Sequence, residues 1–396
     1  MFIYADNAAT TAMSEKSIEA MLPWMRESYG NPSSLYEFGQ RSTEAITSAR
    51  AAVAKVLNCT ENEIIFTGGG SEADNQALLT GAQWGQRKGK RHIISTAFEH
   101  HAVLHRLAAL KKEGFEVTLL PVHGDGLVRV EELAAAIRED TALVSIMFAN
   151  NEIGTVQPIA EIGRLCRERG VLFHTDAVQA VGHLPIDVQA MNIDMLSLSA
   201  HKFHGPKGVG VLYLRKGIPA HRLIEGGAQE RNRRAGTENV PGIMGLAAAL
   251  TEAEEKRENN ARYVSALRDK LIDGLLTIPH TALNGAHEPR LPGNVNVCFE
   301  GIEGESLLLL LDEKGICASS GSACTSGSLD PSHVLLAIGR PHEVAHGSLR
   351  LSLCHENTEE EVDHILKVVP EVVDYLRRMS PVWKDLEAGK RQFITP

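Results

Sequence analysis

The lysine at position 202 is the residue of this chain best placed for covalent chemistry. It follows the apolar run 195–199, and Gly205, Gly208 and Gly210 come soon after it. A lysine at the end of a buried strand is partly withdrawn from water, which lowers its pKa and lets the neutral amine form a Schiff base with an aldehyde. A surface lysine that opens a turn is the alternative interpretation.

A cysteine in a run of small polar residues is the second candidate. Cys324 lies within residues 319–328, which otherwise contain only serine, glycine, alanine and threonine. Such residues cannot pack a core, so we expect this segment to be exposed and mobile. An exposed thiol is prone to oxidation, and its presence here therefore indicates use as a nucleophile. Cys317 lies in an apolar run and is predicted to be buried.

A glycine-rich turn between a predicted strand and a predicted helix is typical of a phosphate site. Three glycines at 68–70 follow the strand, and Ser71 opens the helix. Glycines let the backbone approach an anion closely, and the N–H groups of the helix N-terminus attract negative charge. The run has neither the Gly-Lys-Ser/Thr of a P-loop nor the glycine spacing of a dinucleotide site. A turn that binds nothing is the alternative for this motif alone.

Two further motifs place polar side chains where predicted strands end. Asp176 can pair with a protonated pyridine nitrogen, and Gln179 can donate to a phenolic oxygen of the same ring. His100 can stack on a flat ring and move protons near neutral pH. Taken singly, an aspartate in a turn and a histidine near a helix N-terminus are the common alternatives. Together with Lys202 and Cys324, these residues favour pyridoxal phosphate (PLP) and a cysteine nucleophile.

Asn151 and Arg350 are candidates for binding a substrate. Asn151 follows another predicted strand, and its amide can orient a ring oxygen or a carboxylate. Arg350 is a lone arginine in an alternating strand, and its guanidinium can hold a carboxylate with two hydrogen bonds. A simple Asn turn and a surface arginine on an edge strand are the alternatives.

The elements that position these residues alternate between strands and helices. The apolar runs show little alternation, which is typical of strands buried on both faces. They fall at 63–67, 91–96, 116–122, 142–149, 171–175, 195–199 and 210–214. Helical segments at 72–88 and 159–169 lie between them, which predicts a mostly parallel sheet with helices on both faces.

The second half of the chain has a different pattern. A long helix is predicted from 241 to about 276, followed by a strand at 294–299 and helices at 304–314 and 359–378. This mixture predicts a smaller C-terminal α+β domain. We expect the polar tail after Pro381 to be weakly ordered.

Length and composition limit the classes of protein. The chain has 396 residues, 43% hydrophobic and 23% charged, as in an ordinary globular enzyme of about two domains. A net charge of −10 argues against a nucleic-acid surface, and no apolar run approaches the roughly 20 residues of a membrane span. The six cysteines form no CxxC pair, and His101 and His105 lack a third ligand. We therefore expect free thiols, a cytoplasmic location and no intrinsic metal site.

The order of the motifs resembles that of the cysteine desulfurases, which belong to the class-V aminotransferase family and to fold type I of the PLP enzymes. The resemblance runs from residue 4 to residue 383, with family-like segments at 30–34, 174–179, 233–239 and 318–328. The long loop around Cys324 is similar to that of the group that supplies sulfur for iron–sulfur clusters, and differs from the shorter loop of selenocysteine lyases. The ending at 379–383 resembles the nitrogen-fixation (NifS-like) type more than the housekeeping (IscS-like) type.

The resemblance implies a fold, with a large domain at 15–260 built on a mostly parallel seven-stranded sheet, and a small domain from 1–14 and 261–396. It also implies a role for each candidate residue. Lys202 holds PLP as a Schiff base, Asp176 pairs with the pyridine nitrogen, Gln179 with the phenolic oxygen, and His100 stacks on the ring. The resemblance implies that the cofactor phosphate is bound by Gly70, Ser71, Ser199 and His201, and by Thr237 of the neighbouring subunit. It also implies that Asn151 and Arg350 hold the substrate carboxylate, and that Asn151 contacts the cofactor as well.

The implied reaction converts L-cysteine to L-alanine and leaves the sulfur on Cys324 as a persulfide. The implied partners are a second copy of the chain in a homodimer and an iron–sulfur scaffold protein that accepts the sulfur, with Cys324 as a transient iron–sulfur ligand. An aminotransferase or a selenocysteine lyase of the same fold stays open as an alternative, and so does a non-enzymatic sulfur scaffold. The sequence leaves the identity of the sulfur acceptor undecided.

Overall fold

The structure is a computed structural model that describes residues 1–320 and 331–395. In those residues the strands are β1 (Ile3–Tyr4), β2 (Ile64–Thr67), β3 (His92–Thr96), β4 (Glu116–Leu120), β5 (Thr141–Ser145), β6 (Leu172–Asp176), β7 (Met195–Ser199), β8 (Gly210–Leu214), β9 (Thr281–Leu283), β10 (Asn294–Phe299), β11 (Ile316–Cys317) and β12 (Ser348–Ser352). The helices are α1 (Glu15–Arg26), α2 (Glu37–Leu57), α3 (Gly70–Gln86), α4 (His101–Lys112), α5 (Val130–Ala136), α6 (Ile159–Arg169), α7 (Gln229–Asn232), α8 (Val240–Leu275), α9 (Gly304–Glu313), α10 (His333–Ala337), α11 (His342–Ala345), α12 (Glu359–Met379) and α13 (Pro381–Glu387).

A seven-stranded sheet forms the centre of the molecule. Its strand order is β2-β8-β7-β6-β5-β3-β4, and only β8 runs antiparallel to its neighbours. Successive residues face opposite sides, so Ile64 and Ile65 pack in different hydrophobic clusters, as do Leu143 and Val144. Both faces are covered, which explains why the strands read as nearly continuous apolar runs. The predicted mostly parallel sheet is confirmed, with strand ends shifted by a few residues.

A second, smaller set of strands follows in the chain. The strands β9, β10 and β12 form an antiparallel sheet, and β1 pairs in parallel with β11. Its hydrophobic cluster joins Ile3 and Ala5 to residues between Val264 and Val373. The N-terminal strand thus packs with residues about 300 positions later. The predicted domain boundaries at 14/15 and 260/261 stay a prediction.

The helix α8 connects the two parts. Asn239 caps it by accepting a hydrogen bond from the Gly242 N–H, and Pro241 occupies its first turn, where a missing N–H costs nothing. Residues from Val240 to Leu250 pack with the core of the large sheet, and Val264 to Leu275 pack with the smaller cluster. The predicted helix at 241–276 matches it closely. None of the helices in 1–320 and 331–395 combines the length and apolar character that crossing a bilayer requires.

The tail after Pro381 is better ordered than its composition predicts, which corrects the expectation above. It forms α13, and the Arg377 guanidinium lies over the Trp383 ring, 4.0 Å from its centroid. Phe393 stacks on His280 with ring centroids 3.6 Å apart. The buried Thr395 hydroxyl donates to Glu300 Oε2 at 2.7 Å. A few aromatic contacts hold this segment, because each buries a large apolar area.

A buried ion pair attaches the segment before α8 to the large sheet. The Arg50 Nη1 and Nη2 atoms of α2 donate to both carboxylate oxygens of Glu230, at 2.8 and 2.6 Å, and Arg50 also donates to the Ile64 carbonyl. The Phe66 N–H donates to the same carboxylate at 3.0 Å. Both side chains are more than nine-tenths buried, so neither charge can turn to water.

We expect Arg50→Met to destabilise the protein by about 3–5 kcal/mol, because it leaves the Glu230 carboxylate buried without its cation. Thermal and urea unfolding measure this loss. The control is Arg41→Met on the same helix, since Arg41 and Glu37 form an exposed pair worth at most about 0.5 kcal/mol. Equal losses for the two variants would contradict the account.

Candidate active site

A cavity of about 320 Å³ opens at the carboxyl edge of the large sheet. Ten of the predicted site residues line it: Gly70, Ser71, His100, Asn151, Asp176, Gln179, Ser199, His201, Lys202 and Arg350. They come from six segments that are far apart in sequence. Five of these segments follow parallel strands of the large sheet, whose carboxyl ends meet at one edge, and Arg350 comes from β12.

Lys202 ends a 3₁₀ turn that follows β7 directly. Its Nζ atom donates to the carbonyl oxygens of Ala8 and Ala9, at 2.6 and 2.7 Å. The turn is held from behind as well, because the His183 Nε2–H donates to the Lys202 carbonyl at 3.0 Å. Hydrogen bonds therefore hold both the amine and the backbone of Lys202 in place at the cavity.

Asp176 ends β6 at the base of the cavity. Its Oδ1 accepts the Val178 N–H at 2.9 Å, and the side chain is almost fully buried. Burial raises the pKa of Asp176, while His100, the Val178 N–H and Lys202 act in the opposite direction. The carboxylate is thus placed to receive a cationic ligand group. Gln179 follows it, and its Nε2 donates to the Ala8 carbonyl at 3.0 Å.

A second carboxyl group lies against the same cavity and was missed in the sequence. Asp74 of α3 is buried, and burial together with the Asp176 charge raises its pKa well above the ordinary range. Its Oδ1 lies 3.7 Å from His174 Nε2. Burial lowers the pKa of His174 to about 3, so this ring is neutral and shares hydrogen bonds with Ser145 and Ser197. The available signal was an aspartate on the otherwise apolar face of α3.

The glycine turn forms the predicted cradle. Gly69 has φ +146°, which an L side chain rarely adopts, and a Cβ on Gly70 would lie 2.7 Å from a Val178 methyl carbon. The helix α3 begins at Gly70 and directs its first N–H groups toward this side of the cavity. Ser71 is exposed there and Ser199 is buried, so two hydroxyls flank the cradle. This arrangement suits a phosphate group.

His100 and His201 lie on two other walls. His100 caps α4, and its Nδ1 accepts the Ala102 N–H at 3.2 Å, so the neutral ring carries its proton on Nε2. The His201 Nδ1 lies 3.1 Å from Thr10 Oγ1. Burial, with smaller effects from Lys202 and Lys207, lowers the pKa of His201 to about 4. His201 is therefore a neutral hydrogen-bonding group at neutral pH.

Arg350 lies on an edge strand but is buried, which excludes the alternative of a surface arginine. Only 1% of the residue is exposed. Its Nη2 pairs with Asp6 Oδ1 at 2.8 Å, and its Nη1 donates to the Asn151 carbonyl at 3.1 Å. The guanidinium thus lines the cavity in a fixed orientation, at the junction of β12 with the N-terminal segment.

Two of the predicted site residues do not line this cavity in the described part of the chain. Thr237 is exposed and does not line the cavity of its own chain, although the nearby Arg234 pairs with Glu72 at the start of α3. Cys324 lies outside the described residues. On either side of it, Ser319 pairs with Arg350 through backbone hydrogen bonds, and Ser332 hydrogen-bonds to Glu152 of the cavity wall.

His101, Glu152 and His333 also line the cavity and were missed. The rings of His101 and His333 are 4.6 Å apart, and His333 Nε2 donates to the Glu99 carbonyl at 2.9 Å. No sequence signal connects His101 with His333, which are about 230 positions apart. Only the folded chain could therefore show that these residues share one cavity wall.

Comparison with known proteins agrees with this fold and site. The model of the aminotransferase class-V family matches residues 3–365. The chain therefore belongs to the aminotransferase class-V family, whose members are PLP-dependent enzymes, and the predicted resemblance is confirmed. It is 60% identical to a protein of Methanosarcina thermophila named cysteine desulfurase IscS, over 96% of this chain and 94% of that one.

The fold is also similar to solved structures. A NifS-like protein superposes with a TM-score of 0.89 at 42% identity, covering 95% of this chain and all of that one. A structure described as SspA in complex with cysteine has a TM-score of 0.79 at 36% identity, covering 90% and 100%. The relatives thus carry both IscS and NifS names.

Glu99, next to the cavity, predicts a pH dependence of stability. Burial raises its pKa from 4.5 to about 8, although Thr96 and the Met147 N–H donate to Oε1 at 2.6 and 3.0 Å. A carboxyl group with a raised folded-state pKa binds its proton more tightly when folded. Its contribution is therefore fully present below about pH 4.5 and is lost as the pH rises toward 8.

As the pH rises from about 4.5 to about 8, we expect the free energy of unfolding of the wild type to fall by up to about 1.4 kcal/mol per pH unit, compared with that of Glu99→Gln. The amide preserves the carbonyl oxygen that accepts both hydrogen bonds and cannot ionise. Unfolding curves between about pH 5 and 8 test this. The control is Glu305→Gln at an exposed site. Parallel pH profiles for wild type and Glu99→Gln would refute the assignment.

Proposed function

We propose that this protein is a cysteine desulfurase that converts L-cysteine to L-alanine and transfers the sulfur to Cys324 as a persulfide. One observation carries the proposal: Lys202, Asp176 and Arg350 line a single cavity at the carboxyl edge of the sheet. An amine, a carboxylate and a guanidinium at that edge suit an amino-acid substrate and a pyridine cofactor. The relatives named cysteine desulfurase support the same reaction.

The residues present fit PLP. The cradle disfavours side chains, through the φ of Gly69 and the close Val178 methyl carbon at Gly70, and it leads into the N-terminus of α3, as a phosphate requires. Asp176 would pair with the pyridine nitrogen, and Lys202 would hold the aldehyde carbon. When bound, PLP supplies an electron-withdrawing ring that stabilises negative charge at the Cα atom of the substrate.

Arg350 and Asn151 would hold the substrate carboxylate. Asp6 and the Asn151 carbonyl already fix the orientation of the guanidinium, so little side-chain entropy is lost when a carboxylate arrives. The similarity to a structure described as a complex with cysteine supports this substrate class. Lys202 would take up the proton that leaves Cα, and His100 would exchange protons on another wall of the cavity.

Cys324 would perform the sulfur transfer. Its thiolate attacks the sulfur atom of the bound cysteine, an S–S bond forms, and the Cβ–S bond breaks. The electron pair stays with Cβ, which takes up a proton, so that alanine leaves and a persulfide remains. The reaction is balanced without an added oxidant or reductant. The attachment of Ser319 and Ser332 to cavity-lining residues supports delivery of this thiol to the substrate.

The alternatives differ in what the thiol does. A selenocysteine lyase of the same fold uses Lys202 and Asp176 but does not require Cys324 for alanine formation from cysteine. An aminotransferase uses the same two residues but leaves the Cβ–S bond intact, so it converts cysteine to the thiol-bearing oxo acid and not to alanine. A non-enzymatic sulfur scaffold requires no lysine in a cavity, so the position of Lys202 argues against it.

The proposal includes a homodimer, an iron–sulfur scaffold protein as sulfur acceptor, and a cytoplasmic location. The exposed position of Thr237, outside the cavity of its own chain, supports a role in the site of a second subunit. The five cysteines in the described residues are free thiols, which supports a reducing compartment.

We expect Cys324→Ala to lower alanine formation from L-cysteine at least about 100-fold, because the nucleophile is missing, while the visible absorbance of PLP is retained. Mass spectrometry should show one added sulfur atom on the wild type and none on the variant. The control is Cys59→Ala, since burial raises the pKa of Cys59 to about 12 and leaves it a poor nucleophile. Alanine formation that survives Cys324→Ala would favour a lyase, an oxo acid formed in place of alanine would favour an aminotransferase, and a protein without PLP would favour the scaffold.

We expect Thr237→Ala to weaken PLP binding about 10- to 100-fold, the cost of one hydrogen bond to a charged group. A mixed dimer of one Thr237→Ala subunit and one Lys202→Ala subunit distinguishes the two arrangements. If Thr237 serves the other subunit, one of the two sites is intact and about half of the wild-type activity returns at limiting PLP. If it serves its own subunit, both sites are defective and activity stays low. Thr47→Ala, on the exposed surface of α2, is the control.

A further inference from the structure

Three side chains with metal-binding atoms meet behind the turn that carries Lys202. The ligand atoms of His204, Cys354 and His355 all lie within 4.8 Å of one another. Within residues 1–320 and 331–395, no other group of three or more His, Cys, Asp or Glu side chains has this geometry. The three residues line a separate cavity of about 70 Å³, which has room for an ion and a bound water.

The ring of His204 is held in the state that a metal requires. Its Nδ1–H donates to the Ala12 carbonyl at 3.0 Å, so the lone pair lies on Nε2. The backbone has φ +65°, an uncommon conformation outside glycine, and the Thr11 hydroxyl oxygen accepts the His204 N–H at 2.8 Å. A histidine is thus kept in an uncommon backbone conformation beside Cys354 and His355, with Nδ1 already satisfied and the lone pair of Nε2 available to a metal.

Cys354 and His355 lie in a rigid turn just after β12. The Cys354 N–H donates to Asn357 Oδ1 at 2.8 Å, and the Asn357 N–H donates back to the Cys354 carbonyl at 3.1 Å. Only 7% of Cys354 is exposed, whereas His355 is exposed and its ring lies 4.8 Å from that of His204, edge to face. One buried thiol and one adjustable imidazole therefore complete the cluster.

We propose that His204, Cys354 and His355 bind a zinc ion. Thiolate and imidazole ligands select zinc and similar transition metals over magnesium or calcium, which prefer oxygen. Tetrahedral zinc with ordinary bond lengths places such ligand atoms about 3.3–3.6 Å apart. The separation of at most 4.8 Å closes by rotation of the exposed His355 ring. Glu356, which lines the same cavity, or water takes the fourth position.

The ion would connect parts of the chain that carry the active site. His204 lies two residues after Lys202, and Cys354 lies four residues after Arg350. His183, which donates to the Lys202 carbonyl, lines both this cavity and the small space between it and the active site. Bound zinc therefore clamps the lysine turn to the end of β12. This inference does not depend on the proposed reaction.

The test measures zinc and cobalt binding to the full-length, tag-free protein as purified with PLP, in a Cys324→Ser background that removes the other candidate thiol. After dialysis against micromolar zinc, we expect one zinc ion per chain and a melting temperature a few degrees higher. Cobalt in place of zinc should give visible d–d bands and a thiolate charge-transfer band. Cys354→Ser should abolish that charge-transfer band, and His355→Gln should weaken zinc binding at least about 10-fold.

His204→Asn is a further variant within the cluster, chosen because asparagine tolerates a positive φ. Cys317→Ser is the matched control, because Cys317 lies outside the cluster. Cobalt spectroscopy of the parent protein keeps the test valid if a variant fails to fold. The proposal is overturned if no zinc is retained, if the cobalt spectrum lacks the thiolate band, or if the cluster variants and Cys317→Ser bind zinc equally well.

Discussion

The buried carboxyl group of Asp176 is the constraint around which the site is built. A charge at the end of a buried strand is costly unless a cation faces it, and burial raises the pKa of this group. Lys202 and His100 favour its ionised form. Asp74 lines the same cavity, and burial with the Asp176 charge raises its pKa well above the ordinary range. The base of the cavity therefore accommodates one negative charge, which suits a protonated pyridine ring.

The start of the chain is as important to the site as the sheet. The carbonyl groups of Ala8 and Ala9 accept hydrogen bonds from Lys202, and Asp6 pairs with Arg350. This segment continues from β1, which pairs with β11 in the smaller part of the molecule. One short segment thus fixes the amine on one side and the guanidinium on the other. Because both contacts are at least partly buried, a shift of this segment would move both groups together.

Much of the architecture could be predicted because burial on both faces leaves a local signature. The runs at 195–199 and 210–214 became β7 and β8 without any shift, and the helix at 159–169 has the predicted bounds. Periodicity and glycine placement are properties of neighbouring residues, so they are visible in a linear sequence. The roles of the individual site residues came from a resemblance, since a single Asp, His or Arg at a strand end has several ordinary explanations.

The sequence by itself determined the order of strands and helices, the glycine cradle, and the presence of an amine and a carboxylate at strand ends. Only the tertiary structure decided which groups meet: Asp74 and Asp176 in one cavity, His333 beside His101, and Asp6 paired with Arg350. The physical reason is that hydrophobic patterning acts over a few residues, whereas pairing of buried charges depends on distance in space. Residues hundreds of positions apart become neighbours only when the sheet forms and the N-terminal segment packs beside β12.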